Sequence, residues 1–139
     1  MSNLEKAKEV LRSGAYTCVF VKGDTVETSV EKGVTPLIKR LESGKNLTGY
    51  SAADKVVGKG AAFLYVLLKV QAVYADVIST PAKEVLIEHK IKAEYKVETA
   101  AIRNRKGDGF CPIETAVKDI FEPNQALIAI KNKIKEMQK

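Results

Sequence analysis

A segment rich in glycine and lysine is the first place where the chain could do chemistry. It runs from Asp54 to Gly60 (DKVVGKG) and leads into a strongly apolar stretch. A helix that starts here presents free N–H groups and partial positive charge, and its glycines let a ligand approach the backbone closely. Together with the charge of Lys59, this chemistry suits a phosphate or a carboxylate.

The same segment departs from the phosphate-binding loop of nucleoside triphosphatases. That loop needs a glycine where this chain has Ala53, and a serine or threonine where it has Gly60. In the alternative interpretation, Gly58 and Gly60 only allow a helix to pack tightly on the sheet, and Lys59 is solvated. The sequence leaves both interpretations open.

Cys111 is the second candidate, because it precedes Pro112 and is predicted to cap a helix. A thiol at a helix N-terminus can have a lowered pKa and can act as a nucleophile. Glu114 would oppose this effect if it lies close. Three basic side chains of the preceding loop would add to it: Arg103, Arg105 and Lys106. Alternatively, Cys111 is a small buried residue that only caps the helix. Cys18, in its apolar strand, is predicted to be a core residue.

A third helix beginning, from Ser79 to Ala82, follows a predicted strand. Its N-terminus therefore lies at the carboxyl edge of the sheet, where open α/β folds bind their ligands. If the three helix beginnings converge, they form one pocket rich in N–H donors. The predicted ligand-binding residues are Asp54, Gly58, Lys59, Gly60, Ser79, Thr80, Pro81 and Cys111. Asp54 and Cys111 are also the candidate catalytic residues.

The sequence contains one histidine, His89, in the predicted last turn of a helix. It is widely separated from both cysteines, so no metal-ligand spacing exists and no metal site is predicted. A Ser-His-Asp triad would need this histidine in a cleft. Its charged neighbours predict an exposed helix end instead.

Composition limits the class of protein. The chain has 139 residues, 15.2 kDa and 45% hydrophobic residues, enough for one domain over residues 1–139 with its own core. Two cysteines, a charged beginning and short apolar runs predict a cytoplasmic protein that neither carries a disulfide framework nor enters a membrane. The net charge is +6, but the lysines alternate with glutamates and aromatic residues are few, which argues against nucleic-acid binding.

The hydropathy pattern places these residues on alternating helices and strands. Helices are predicted over residues 3–12, 34–41, 58–70, 80–88, 112–120 and 125–136, and strands over 16–21, 25–30, 72–78 and 92–97. Residues 47–57 suggest a short strand and the approach to a helix, and 102–110 a polar loop. Thr35 and Thr80, each before a proline, are predicted N-caps. The order predicts an α/β fold with a mixed sheet, helices on both faces and 92–97 at an edge.

Two long motifs carry a family resemblance: DKVVGKGAAFLYVLLKVQAVYADVISTPAKEVLIEHKI and, further on, GDGFCPIETAV. From about Gly14 to Val117 the chain resembles domain-of-unknown-function family 1893. The resemblance implies a cytidine-deaminase-like fold, a three-layer α/β/α sandwich that begins with a β-hairpin. It is also the reason to expect a homodimer.

The resemblance implies that the zinc site of true deaminases is lost. Those enzymes carry their zinc ligands and a catalytic glutamate at two helix beginnings. By position, Gly58 stands where the histidine ligand belongs and Gly60 where the glutamate belongs. Ala82 and Val85 stand where the two cysteines belong. No zinc cofactor and no zinc-dependent deamination are therefore expected.

A pocket of this ancestry still accepts a base, so the resemblance implies a nucleotide-like or other phosphate-bearing ligand. Lys59 would neutralise its phosphate, and Asp54 would accept from a ribose hydroxyl or position Lys59. Two other functions stay open: an enzyme with Cys111 as thiol nucleophile, and a homodimeric interaction module that binds no small molecule.

Overall fold

A computed structural model describes residues 1–103, 109 and 111–138 of the chain. Arg105, Lys106 and most of the predicted loop 102–110 lie outside the described residues. The helices are α1 Asn3–Ser13, α2 Thr35–Glu42, α3 Lys59–Leu68, α4 Thr80–Glu88, α5 Pro112–Val117 and α6 Pro123–Met137. The strands are β1 Cys18–Lys22, β2 Thr25–Ser29, β3 Ser51–Val57, β4 Ala72–Ser79 and β5 Lys92–Thr99.

The five strands form one mixed sheet in the order β2-β1-β3-β4-β5. β1 and β2 form an antiparallel hairpin whose turn contains Gly23 at φ +58°, a left-handed conformation that glycine adopts without strain. β1 is antiparallel to β3, whereas β3, β4 and β5 run parallel. The predicted α/β class, the mixed sheet and the edge position of 92–97 are thus confirmed.

Helices cover both faces of the sheet, which gives the core two halves. On one face, α1 turns Leu4, Ala7 and Leu11 toward Val19 and Ala53 of the sheet. This pattern follows from the helical spacing of the apolar residues in α1.

On the other face, α3 lies at the centre of the larger core. Its sequence, KGAAFLYVLL, is apolar around nearly the whole helix, and all but two of its residues are buried. A helix of this composition is stable only where protein surrounds it. The sheet, α2, α4, α5 and α6 provide that surrounding.

Residues 51–57 depart from the prediction, because the whole segment is strand β3. Ala52 and Ala53 have little intrinsic strand preference, but β3 pairs with β1 on one side and with β4 on the other. Pairing with two neighbours decides the conformation of a central strand more strongly than propensity does.

Several helix ends also differ from the prediction. Thr35 lies inside α2, and Val34 is the N-cap, whose C=O accepts from both Leu37 and Ile38 N–H. At α4 the cap is Ser79, one residue before the predicted Thr80. α5 ends at Val117, and α6 begins at Pro123 because the Glu122 carboxylate caps it through Gln125 N–H at 2.9 Å.

None of the helices in the described ranges is both long and apolar enough to cross a membrane.

Candidate functional site

Asp54 is a buried acid in the middle of the sheet. It follows Ala52 by two residues in β3, so its side chain points to the same face, toward α3. Only 8% of the residue is exposed. Tyr65 of α3 donates its hydroxyl to Asp54 Oδ2 at 2.7 Å, and Val56 N–H lies 3.4 Å from Oδ1.

Burial raises the pKa of Asp54 to about 7, although the hydrogen bond from Tyr65 acts to lower it. Desolvation penalises the ionised carboxylate more strongly than a single hydroxyl stabilises it. Asp54 can therefore either hold a proton or accept one near neutral pH. Acids of this kind are concentrated at functional sites.

Asp54 lies on the wall of a cleft of about 980 Å³. The cleft lies between the end of β3, the beginnings of β1, α2, α3 and α5, and the last turn of α6. Apolar side chains form much of its wall, among them Val34, Ile113 and Ile134. Three exposed cationic residues also line it: Lys32, Lys55 and Arg103. The cleft thus combines an apolar interior, the buried acid Asp54, the Glu114 carboxylate and a positive rim.

The N-terminus of α3, where the sequence predicted an anion, carries the chain's own carboxylate. Glu114 Oε1 accepts from Lys59 N–H at 2.6 Å, and Oε2 accepts from Gly60 N–H at 2.9 Å. Glu114 lies in the first turn of its own helix, α5, but its carboxylate caps a different helix, 55 residues away in sequence. This pairing satisfies two N–H groups and neutralises the helix dipole.

The two glycines make room for this cap. A Cβ on Gly58 would lie 2.4 Å from Glu114 Cδ, and a Cβ on Gly60 would lie 2.8 Å from Ile113 Cγ2. Neither distance is possible for a real side chain unless the Glu114 or the Ile113 side chain moves. Tight packing was one of the two predicted roles of the glycines, but the partner is α5 rather than the sheet.

Lys59 does not line the cleft. Its residue is 8% exposed, and its Nζ donates to Lys118 C=O at 2.9 Å. The same ammonium lies 4.4 Å from the centre of the Phe121 ring. Lys59 is therefore neither solvated nor placed where it would neutralise a phosphate in the cleft, and it joins α3 to the segment after α5.

The beginning of α4 also lies outside the cleft lining. Ser79 is buried and its Oγ accepts from Ala82 N–H at 3.1 Å. Thr80 donates its hydroxyl to Glu98 at 2.7 Å, and Pro81 follows within the first turn of α4. Of the three helix beginnings, the structure brings together those of α3 and α5.

The two cysteines differ in burial. Cys18 is a core residue, as predicted, and the position of Cys111, which the sequence left open, is at the cleft. Cys18 is buried beside Asp54, and burial raises the pKa of its thiol. Cys111 is the half-buried N-cap of α5, makes no side-chain cap bond and lines the cleft. Cys18 also lies in the cleft wall but is only 2% exposed, so Cys111 is the more accessible of the two thiols.

His89 ends α4, and its Nδ1 lies 2.9 Å from Val85 C=O. Within the ranges that the structure describes, no three His, Cys, Asp or Glu side chains lie close enough to hold a metal ion.

The sequence pointed to Asp54, Cys111 and Glu114, but it gave no sign of Tyr65 as the partner of Asp54 or of Glu114 as the cap of α3. Tyr65 lies in an apolar helix where a core role is the default. Its hydroxyl needs a partner when buried, and this is the one signal that could have pointed to Asp54.

A comparison with proteins of curated function finds no match. The chain is similar to a solved crystal structure, that of a DUF1893 family protein (TM1506) from Thermotoga maritima. The two are 25% identical with a TM-score of 0.88, over 96% of this chain and 91% of that one. The family model "TM1506: Domain of unknown function (DUF1893)" matches residues 6–134. The resemblance seen in the two sequence motifs is therefore confirmed: the chain belongs to the DUF1893 family.

Proposed function

We propose that the protein binds a small nucleotide-like, phosphate-bearing molecule in the cleft above Asp54. The observation that carries the proposal is a buried carboxyl group with a pKa of about 7 on the wall of a ligand-sized cleft. A cleft of about 980 Å³ is large enough for a nucleotide, and binding clefts for small molecules are typically apolar with a few placed polar groups.

The charges of the cleft support a ligand with two different ends. Ionised Asp54 accepts a hydrogen bond from a ribose hydroxyl or from a base N–H, and the apolar wall contacts the base. Lys32, Lys55 and Arg103 at the rim attract the phosphate. Because Glu114 occupies the α3 N-terminus, we place the phosphate at the rim of the cleft rather than at that N-terminus, where the sequence predicted it.

We also propose that the fold is of the cytidine-deaminase-like type. The hairpin of β1 and β2, with which the sheet begins, the mixed sheet and the helices on both faces support this assignment. At the positions of a deaminase's zinc site the chain carries Gly58, Gly60, Ala82 and Val85, which offer no side-chain ligand. A zinc-dependent deamination is therefore not part of the proposal.

Thermal denaturation with a panel of ligands tests the proposal, because a ligand that binds the native state raises the melting temperature. We expect nucleoside phosphates to raise it more than nucleosides or inorganic phosphate do. Asp54→Asn should weaken nucleotide binding roughly 10- to 100-fold, the loss of one hydrogen bond to a charged group. Lys32→Ala should weaken the binding of phosphate-bearing ligands only.

Lys118→Ala is the matched control, because Lys118 is an exposed lysine outside the cleft lining. It should bind as the unchanged protein does. Equal stabilisation of the unchanged protein and of Asp54→Asn by every ligand would contradict the proposed role of Asp54.

A second candidate function is an enzyme that uses Cys111 as its nucleophile. It is favoured by the position of the thiol in the cleft wall at a helix N-cap. This candidate predicts that iodoacetamide alkylates Cys111 much faster than Cys18 near neutral pH, and that a cleft ligand slows the reaction. Peptide mass spectrometry measures both rates. Equally slow reaction at the two thiols would eliminate the candidate.

A further inference from the structure

Strand β5 (Lys92–Thr99) has an unpaired outer edge within the part of the chain that the structure describes. Lys92 N–H donates to Gln71 C=O at 3.2 Å, on the inner side toward β4. Because backbone groups alternate in direction along a strand, Ala93, Tyr95 and Val97 present their N–H and C=O groups outward. Such an edge can pair with another strand.

The charges of this edge alternate in sign: Lys92, Glu94, Lys96 and Glu98. Both glutamates have partners in the chain, Lys8 for Glu94 and Lys83 for Glu98. Among the described residues, no carboxylate lies within ion-pair distance of Lys92 or Lys96.

We propose that β5 pairs antiparallel with β5 of a second copy, about a two-fold axis through Tyr95. In this register Lys92 lies opposite Glu98 and Glu94 lies opposite Lys96. By symmetry the interface contains four cross-strand pairs of opposite charge. Ala93 lies opposite Val97, whose side chain is 49% exposed in the single chain. Opposite charges facing each other across strands stabilise a sheet.

The charge pattern selects this register over its neighbours. A shift by two residues in one direction places Glu94 opposite Glu94 and Lys92 opposite Lys96. A shift in the other direction places Lys96 opposite Lys96 and Glu94 opposite Glu98. Both neighbouring registers therefore bring like charges together, which destabilises the pairing.

The hydrogen-bonding groups select the same register. The pairing through Tyr95 matches Tyr95 with its own copy and Ala93 with Val97, all of which direct their backbone groups outward. A shift by one residue would face these groups with residues that bond to β4 instead. The two sheets would join into one continuous ten-stranded sheet, with an interface that uses the same residues on both copies.

Sedimentation of the full chain over a range of concentrations tests the pairing. We expect a dimer of twice the 15.2 kDa mass of one chain. Lys92→Glu combined with Lys96→Glu makes all four charges negative and should weaken the dimer at least roughly tenfold. Glu94→Lys combined with Glu98→Lys makes them all positive and should do the same. An equimolar mixture of the two variants should recover a one-to-one complex.

Lys118→Glu combined with Lys135→Glu is the matched control for the Lys92 and Lys96 variant, because it changes the net charge equally at exposed lysines, one just after α5 and one in α6. It should leave the dimer intact. The unchanged chain sedimenting as a monomer at every concentration would overturn the proposal. A dimer that survives reversal of the β5 charges would overturn it too.

An intermolecular disulfide tests the register with substitutions that leave the charged residues of β5 in place. Tyr95→Cys in a Cys111→Ser chain should form an intermolecular disulfide under copper phenanthroline oxidation, because directly opposed strand residues are close enough. Val97→Cys in the same chain should cross-link much less, since it faces Ala93. Equal cross-linking at the two positions would contradict the register.

Discussion

At the scale of single residues, Asp54 is a carboxyl group whose ionised form opposes folding. Its surroundings favour the protonated form, because the side chain is buried and the Tyr65 hydroxyl gives only partial compensation. A ligand that donates a hydrogen bond to Asp54 would stabilise the ionised carboxylate, which the Tyr65 hydroxyl alone stabilises only in part. We therefore predict that nucleotide binding strengthens as pH rises through about 7, where Asp54 ionises.

The raised pKa of Asp54 also predicts how stability changes with pH. The folded protein holds this proton up to about pH 7, whereas the unfolded chain loses it near its ordinary value of 3.8. The contribution of Asp54 to the free energy of unfolding is fully present below its pKa in the unfolded chain. It is lost as pH rises through its pKa in the folded protein. Asp54→Asn removes the effect, so it should become more stable than the unchanged protein above about pH 7, by up to about 4 kcal/mol.

Urea unfolding between about pH 5 and about pH 8 measures this difference. Asn keeps an acceptor for the Tyr65 hydroxyl, so packing stays nearly the same. If the two proteins lost stability in parallel over this range, Asp54 would not carry the raised pKa.

At the scale of elements, Glu114 ties α5 to α3. The six-residue helix α5 reaches the N-terminus of α3 with one carboxylate, and Gly58 and Gly60 leave the space for it. Glu114→Ala leaves two helix N–H groups without their partner and should cost about 2 kcal/mol of unfolding free energy. Glu114→Gln keeps one acceptor and should cost about half as much.

Urea unfolding with and without inorganic phosphate extends the measurement on Glu114→Ala. A vacated helix N-terminus binds anions, so phosphate should restore part of the lost stability in this variant and little in the unchanged protein. A variant as stable as the unchanged protein would show that the cap contributes nothing.

The elements that could be predicted are those whose local pattern agrees with their surroundings. The apolar run of α3 predicts a buried helix, and the alternation in residues 92–97 predicts an edge strand. β3 was only half recognised, because Ala52 and Ala53 become strand through pairing with two neighbours. The capping of α3 by Glu114 spans 55 residues of sequence, and no local pattern records such a contact.

At the scale of the whole molecule, the order of helices and strands predicted the mixed sheet and its helical layers. The candidate site was predicted in part: Asp54, Gly58 and Cys111 line the cleft, whereas Lys59 and the beginning of α4 do not. The residues that line the cleft come from widely separated parts of the sequence, from Thr17 to Gln138. Its composition depends on tertiary packing, so the sequence could name helix beginnings but could not show which of them meet.

Nucleotide binding is tested most directly by the mass of the intact protein after mixing with a set of nucleoside phosphates, measured under native and then denaturing conditions. We expect added mass that matches a nucleotide, that disappears on denaturation, and that is strongly reduced in Asp54→Asn but kept in Lys118→Ala. Absence of added mass in the unchanged protein, or equal added mass in Asp54→Asn, would contradict a nucleotide-binding cleft built on Asp54.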